Sequence, residues 1–339
     1  MKSTHAILMV ACMALLLIAG CRKPNNNRTT DINTGPISTG GQPATFPGGS
    51  QTSLNQLFKD LRYTPEVKCV TAGILQVVTF SKGTRLTFYP NSFKNAAGAT
   101  ITSGTVCIEM IEMYKPGDMI SNMATTTTST DLLRSGGQVH INATKDGQKV
   151  YANKYGIAFK QPAPSTLPME LFYGNTNNKD SVVTWGFTGG GLPGTTAAGT
   201  TLDTVTFISY NIFDSCTNFN FINCDVLADR GPRAQINIVL ADTIYKNLRT
   251  RVFIVLPSVN AVATPCRYVP ATNTFELGGA DVWHGVPVGM PISIIVMSKI
   301  EDKFYYFEQT GLPAVDGMTV TANLTNQSLD YIKAKLAGL

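Results

Sequence analysis

The sequence predicts a mainly β protein: two antiparallel β-sandwich-like domains, with a short N-terminal helix and a C-terminal helix. Three observations predict it. Threonine, glycine and proline number 41, 30 and 18, a balance that favours strands and turns over helices. Short alternating apolar runs recur with turn signals between them. Charged residues are only 14% while 43% are hydrophobic, so the chain has ample material for cores and does not read as disordered. Its 339 residues allow one large or two ordinary domains. A formal charge of +5 over that length is no nucleic-acid footprint, and no nucleic-acid partner is expected.

Residues 1–20 read as a secretory signal. Lys2 gives a positive start, and Ala6 to Ala19 is almost wholly apolar, a run too short for a comfortable bilayer span. It ends Ile18-Ala19-Gly20-Cys21. This resembles the lipobox of bacterial lipoproteins, in which small residues admit the peptidase and the cysteine thiol carries the lipid. The resemblance implies lipidation at Cys21 and a membrane partner held through acyl chains. Several chains on one residue make a stable anchor where one would be marginal. Arg22, where Asp would retain such a protein in the inner membrane, favours the bacterial outer membrane. The periplasmic face and the cell surface both stay open. Residues 21–52 are rich in Asn, Thr, Gly and Pro and read as a flexible tether.

The first β domain is expected over 53–188. Leu54, Leu57 and Phe58 have helical spacing within a short helix, Thr52 to Leu61. Strand signals follow at Gly73 to Phe80 and at Thr84 to Tyr89, which stops at Pro90. Thr105 to Met113 places Val106, Ile108 and Met110 on one face and Cys107, Glu109 and Ile111 on the other. Asp146-Gly147 between two such runs signals a hairpin. Strands continue at Ile157 to Phe159, Leu171 to Tyr173 and Val182 to Trp185. Residues 189–203, opening with three glycines, read as a linker or long loop. The second β-rich domain is expected over 204–339, with strands at Val205 to Tyr210, Gln235 to Leu240, Arg251 to Leu256, Pro291 to Met297 and Lys303 to Glu308. It ends in a helix capped by Asn326 with Leu329, Ile332 and Leu336 as its docking stripe.

The stretch Gly83 to Phe93, with its Pro90-Asn91-Ser92-Phe93 corner, and then Gly104 to Met110 resemble the ZU5-like β-sandwich pattern. Met119-Ile120, Leu132-Leu133, Ser135-Gly136-Gly137 and Ile222-Asn223-Cys224-Asp225 are similar to elements of a group of bacterial envelope lipoproteins carrying that domain. The resemblance implies fold and location and brings no activity with it. Relatives of that fold that cleave themselves use a His-Phe-Ser element. Val139-His140-Ile141 lacks the nucleophile, so no self-cleavage is expected.

Catalytic residue types are sparse. His140 and His284 share no metal-ligand spacing, and a zinc site needs three or four converging ligands. Gly189 to Gly194 matches G-x-G-x-x-G, but Pro193 removes a donor and no helix signal follows. The Asn/Asp-rich stretch Asn211 to Asp229 fits no EF-hand, and Phe219, Phe221 and Ile222 interrupt it. No catalytic residue, metal site or cofactor is expected. Beyond Cys12 and Cys21, five cysteines remain, so one at least stays unpaired within the chain. Cys216–Cys224 closes the shortest loop, and Cys69–Cys107 could bridge neighbouring strands. The expected function is a lipid-anchored cell-envelope binding or scaffolding module for an envelope protein or glycan. Trp283 and Tyr305–Tyr306 are candidates for stacking on sugars, with strand packing as the simpler reading. The alternative is a carbohydrate-active hydrolase, built on Glu109, Glu112, Asp225 or Asp242, or a glycan-binding adhesin at the cell surface. Glu109 and Glu112 fall on opposite faces of one strand, which counts against that pair.

Overall fold

The computed structural model describes residues 52–128, 131–161, 169–176, 182–187, 195–197, 209–228, 231–245, 249–265, 267–278 and 285–339. The signal, Cys21, the tether before residue 52, most of the expected linker, Cys266, Trp283 and His284 lie outside the described residues. In chain order, helix α1 (Thr52–Leu61) precedes β1 (Glu66–Thr71), β2 (Gln76–Thr79), β3 (Arg85–Phe88), β4 (Phe93–Lys94) and β5 (Thr105–Met113). Helix α2 (Pro116–Ser121) leads to β6 (Ala124–Thr128), β7 (Leu133–Lys145), β8 (Gln148–Lys149), β9 (Tyr151–Ala152), β10 (Tyr155–Gln161), β11 (Glu170–Thr176) and β12 (Val183–Phe187). Then come β13 (Thr195–Ala197), β14 (Ser209–Cys216), β15 (Asn220–Leu227), β16 (Arg233–Ala234), β17 (Ile236–Leu240), β18 (Thr250–Leu256), β19 (Ala261–Ala263) and β20 (Arg267–Val269). The chain closes with β21 (Thr274–Leu277), β22 (Val286–Pro287), β23 (Pro291–Ile300), β24 (Lys303–Pro313), β25 (Met318–Ala322), β26 (Thr325–Gln327) and α3 (Leu329–Ala337).

The protein is mainly β, as its composition predicts. Four larger sheets have the orders β13-β14-β10-β3-β2, β1-β5-β7-β15-β11-β12-β6 with β8 beside β7, β19-β18-β23-β24-β26, and β20-β21-β17-β25. Pairing is antiparallel except at β6–β12 and β17–β25. Strand alternation explains how the sheets share cores. On β5, Val106, Ile108 and Met110 enter the core facing the first sheet, while Ile111 and Met113 enter a core on the other side. On β18, Phe253 and Val255 join that same middle core, while Val252, Ile254 and Leu256 face the β17–β21 sheet. The result is a stack of four sheets with three cores between them.

Two findings depart from the two-body expectation. β14 and β15 belong to the sheets of the expected first domain, although both follow residue 204. The two sandwiches are also joined by the middle core, which takes Leu54, Leu57, Phe58 and Leu61 of α1 and Ile332 and Leu336 of α3. Each such side chain contributes about 1.5–3 kcal/mol of burial. Side-chain bonds add specificity at the seam. Thr126 Oγ1 accepts from Val262 N at 2.9 Å and donates to Val262 O. Asn260, held in the left-handed region at φ 50°, donates through Nδ2 to the carbonyls of Tyr114 and Ser135.

Local signals mostly hold. Asp146 and Gly147 both take positive φ, the geometry of the two-residue hairpin turn between β7 and β8. The Pro-Asn-Ser-Phe corner is fixed by buried Ser92, whose Oγ accepts from Tyr89 N and donates to Lys154 O. Helix α3 begins two residues later than expected. Its cap is Ser328, whose Oγ accepts from Tyr331 N, and not Asn326, which pairs with Tyr305 in β26.

Candidate functional site

A cleft of about 340 Å³ opens where β1 leaves α1. Tyr63, Glu66, Ser81, Lys82 and Glu112 line it. Glu112 sits at the end of the inward-facing row of β5 and is 6% exposed. Its Oε1 accepts from Thr84 N at 2.8 Å and its Oε2 from Lys82 N at 2.6 Å, so one carboxylate clamps the β2–β3 turn. Glu66 accepts from Ser81 N at 2.8 Å and pairs with Lys68 at 3.2 Å. Burial pushes the Glu66 carboxyl up, but the Ser81 and Lys68 bonds outweigh it and leave the group below its ordinary range. Lys82 Nζ reaches Asp118 Oδ2 at 2.8 Å and lies 5.2 Å over the Tyr63 ring. Burial, then the Asp118 charge, raises the Tyr63 phenol.

Every carboxylate around this cleft therefore already holds main-chain N–H groups or an ammonium. None is placed as an unengaged base of the kind acid–base chemistry needs. What the cleft offers outward is hydrogen bonding from exposed Ser81, Lys82 and Tyr63.

Above the cleft, β1 and β2 are edge strands of two different sheets and meet at the turn 72–75. Side chains stitch these edges where no ladder does. Thr71 N donates to Gln76 Oε1 at 2.7 Å, and Lys68 Nζ donates to Thr79 O at 2.5 Å. Tyr63, Val67, Ile74, Leu75 and Val77 are all exposed large apolar residues of this short stretch. The sequence reads Gly73 to Phe80 as one strand and gives no sign that Ile74, Leu75 and Val77 face solvent. The cleft escapes it as well, because the Lys82–Asp118 and Glu112–Thr84 contacts are long-range.

The four carboxylates of the hydrolase reading are not brought together. Glu109 accepts from Asn142 on the face of β5 that it shares with Ile111, Glu112 clamps the β2–β3 turn, and Asp242 accepts from Ile244 N in an exposed turn. Asp225 is fully buried in the middle core, where Asn223 Nδ2 donates to its Oδ2 at 2.5 Å. Burial holds its carboxyl well above the usual range against bonds from Ser135, Asn223 and Gly136. His140 packs its ring 4.5 Å from that of Phe221, and burial, then the Arg62 charge, lowers its pKa to about 4. In the Asn211 to Asp229 stretch, Asp214 lies exposed on β14 while Asp225 is buried on β15, so their carboxylates do not converge. Among the described residues no three His, Cys, Asp or Glu side chains form a metal-binding group.

The cysteines pair otherwise than the shortest loop suggests. Cys69 and Cys107 face each other across β1 and β5 and form a disulfide. Cys216 and Cys224 are buried free thiols, a correction to the expected pair. β14 and β15 belong to different, facing sheets, so closeness in sequence does not by itself pair the two thiols. Burial raises the Cys216 thiol to about 12 and that of Cys224 well above its ordinary value. The aromatic pair proposed for sugar stacking is also spent on packing. Tyr306 is 3% exposed in the middle core, and Tyr305 packs edge-on against Tyr245.

Among the described residues no helix is long and apolar enough to cross a membrane. No protein-family model matches the chain, and no curated protein is similar to it in sequence.

Proposed function

We infer that this protein is a lipid-anchored cell-envelope module that binds or scaffolds another envelope component. The observation that carries the binding role is the β1–β2 corner, where Val67 and Val77 stay exposed on two edge strands and Ile74 and Leu75 on the turn between them. Open edges and clustered apolar side chains are what partners dock on. The anchoring half rests on the Ile18-Ala19-Gly20-Cys21 run and the Asn/Thr/Gly/Pro-rich stretch after it. A ZU5-like identity for the sandwich around β3 and β5 belongs to the same reading. The dispersed carboxylates favour it over the hydrolase.

The test is fractionation of cells making Cys21→Ala, followed by protease treatment of intact cells making the natural chain. Cys21→Ala is expected to block lipid-dependent processing and release the protein from the membrane. Digestion on intact cells would indicate the surface, and protection until the outer membrane is broken would indicate the periplasm. Unchanged processing and retention of Cys21→Ala would overturn the anchored reading.

A further inference from the structure

The β1–β2 turn holds its apolar residues outward. Gly73, at φ +90°, packs so closely on the neighbouring loop that a Cβ there would lie 2.0 Å from Thr102 O. Ala72 N donates to Gly104 O at 2.9 Å. With its base pinned this way, the turn leaves Ile74 50%, Leu75 63% and Val77 59% exposed.

Lysines gather at the same end. Lys145 lies against Gly104, where an added Cβ would meet its Cε at 2.6 Å. Lys149 follows on β8 opposite Thr144, and Lys94 bridges to Thr100 of the same loop. Asp146, paired with Lys145 at 2.7 Å, is the acid that offsets them in the β7–β8 turn. A turn of exposed aliphatic side chains, with three lysines on the adjoining strands and loop, is complementary to an anionic lipid surface. Aliphatic groups enter the headgroup layer and each lysine near the surface adds attraction.

We propose that the β1–β2 tip is a lipid-contacting surface, with Ile74 and Leu75 entering the headgroup layer and Lys94, Lys145 and Lys149 facing anionic headgroups. It deepens the anchored reading by fixing how the body lies on the bilayer, and it does not require acylation of Cys21.

The natural chain carrying Leu75→Cys is purified, labelled with an environment-sensitive fluorophore, and placed with vesicles of phosphatidylethanolamine and phosphatidylglycerol containing a spin-labelled acyl chain. Val315→Cys, at another exposed apolar site, and the unsubstituted chain are labelled in parallel. The expected result is quenching of the Leu75 label several-fold above the Val315 label. Lys149→Ala should weaken that contact by about fivefold, and phosphatidylcholine vesicles should weaken it further. Equal quenching at both sites, or a Leu75 label reached only by an aqueous quencher, overturns the proposal. So does quenching indifferent to both Lys149→Ala and phosphatidylglycerol. Intact mass reports separately on Cys21: an unacylated chain whose tip label is still quenched defeats the anchor and leaves the tip contact standing.

Discussion

Gly117 lies directly against the main chain of Leu336: a Cβ at position 117 would stand 1.7 Å from the Leu336 carbonyl oxygen. The close approach docks α3 onto α2 and lets Ile332 and Leu336 fill the middle core with α1. The two ends of the described chain therefore meet where the two sandwiches meet.

Gly117→Ala is expected to push α3 off this seat. Overpacking at a rigid backbone contact costs about 1–3 kcal/mol or more, and Leu336→Ala, at a site 1% exposed, costs about 2–5 kcal/mol. Urea unfolding measures both. Limited proteolysis separates them from a distant defect, because cleavage should concentrate within α3. Unchanged protection of α3 in Gly117→Ala would contradict the docking argument.

Glu112 and Glu66 both line the cleft, yet their substitution should differ sharply. Glu112→Ala strands the buried amide Thr84 N and the part-buried amide Lys82 N, and should cost about 2–4 kcal/mol. Glu66→Ala removes a partly exposed ion pair and one amide bond at the surface, worth about 1 kcal/mol. Shifts in the urea midpoint rank them, and hydrogen exchange at Lys82 and Thr84 should quicken in Glu112→Ala alone.

Much of the layer structure was legible because strands announce themselves by alternation. The two faces of Thr105 to Met113 were readable, and they land in two different cores. The Asp146-Gly147 hairpin was readable because turn chemistry is local. Sheet membership was not. Cys216 and Cys224 are near in sequence but sit in facing sheets, and a strand that changes layers carries no sequence mark. The shared middle core was hidden for the same reason. Val252 to Leu256 is apolar throughout, which fits a strand buried on both faces but does not say against what.

Cysteine accounting gives a direct check on that topology. Mass mapping of the native chain should find Cys69 joined to Cys107, with Cys216 and Cys224 as thiols that alkylate only in denaturant. The bridge closes a sequence separation of 38, for which chain entropy sets a gain of about 4 kcal/mol as an upper value. Cys69→Ser with Cys107→Ser should lower stability by about 2–4 kcal/mol. A Cys216–Cys224 bridge in the native map would overturn their assignment as free thiols.

Asp225 and His140 lie on neighbouring strands β15 and β7, and their titrations oppose each other. Burial raises the Asp225 carboxyl above its unfolded value of about 3.9. The unfolded chain therefore loses that proton first, and stability falls as pH rises above about 4 until the folded group ionises. Burial, then Arg62, lowers His140 to about 4, below its unfolded value of about 6.5. The unfolded chain gains that proton first, so stability falls as pH drops from about 6.5 to about 4. Each slope approaches about 1.4 kcal/mol per pH unit, and above about pH 4 the two oppose each other. Asp225→Asn keeps a hydrogen-bonding side chain and should unmask stability that rises with pH across that window. His140→Gln should unmask stability that falls, and the double variant should be flat with respect to this pair. Urea midpoints measured from pH 4 to 8 read all four proteins, and slopes of like sign in the two single variants would contradict the burial of one group or the other.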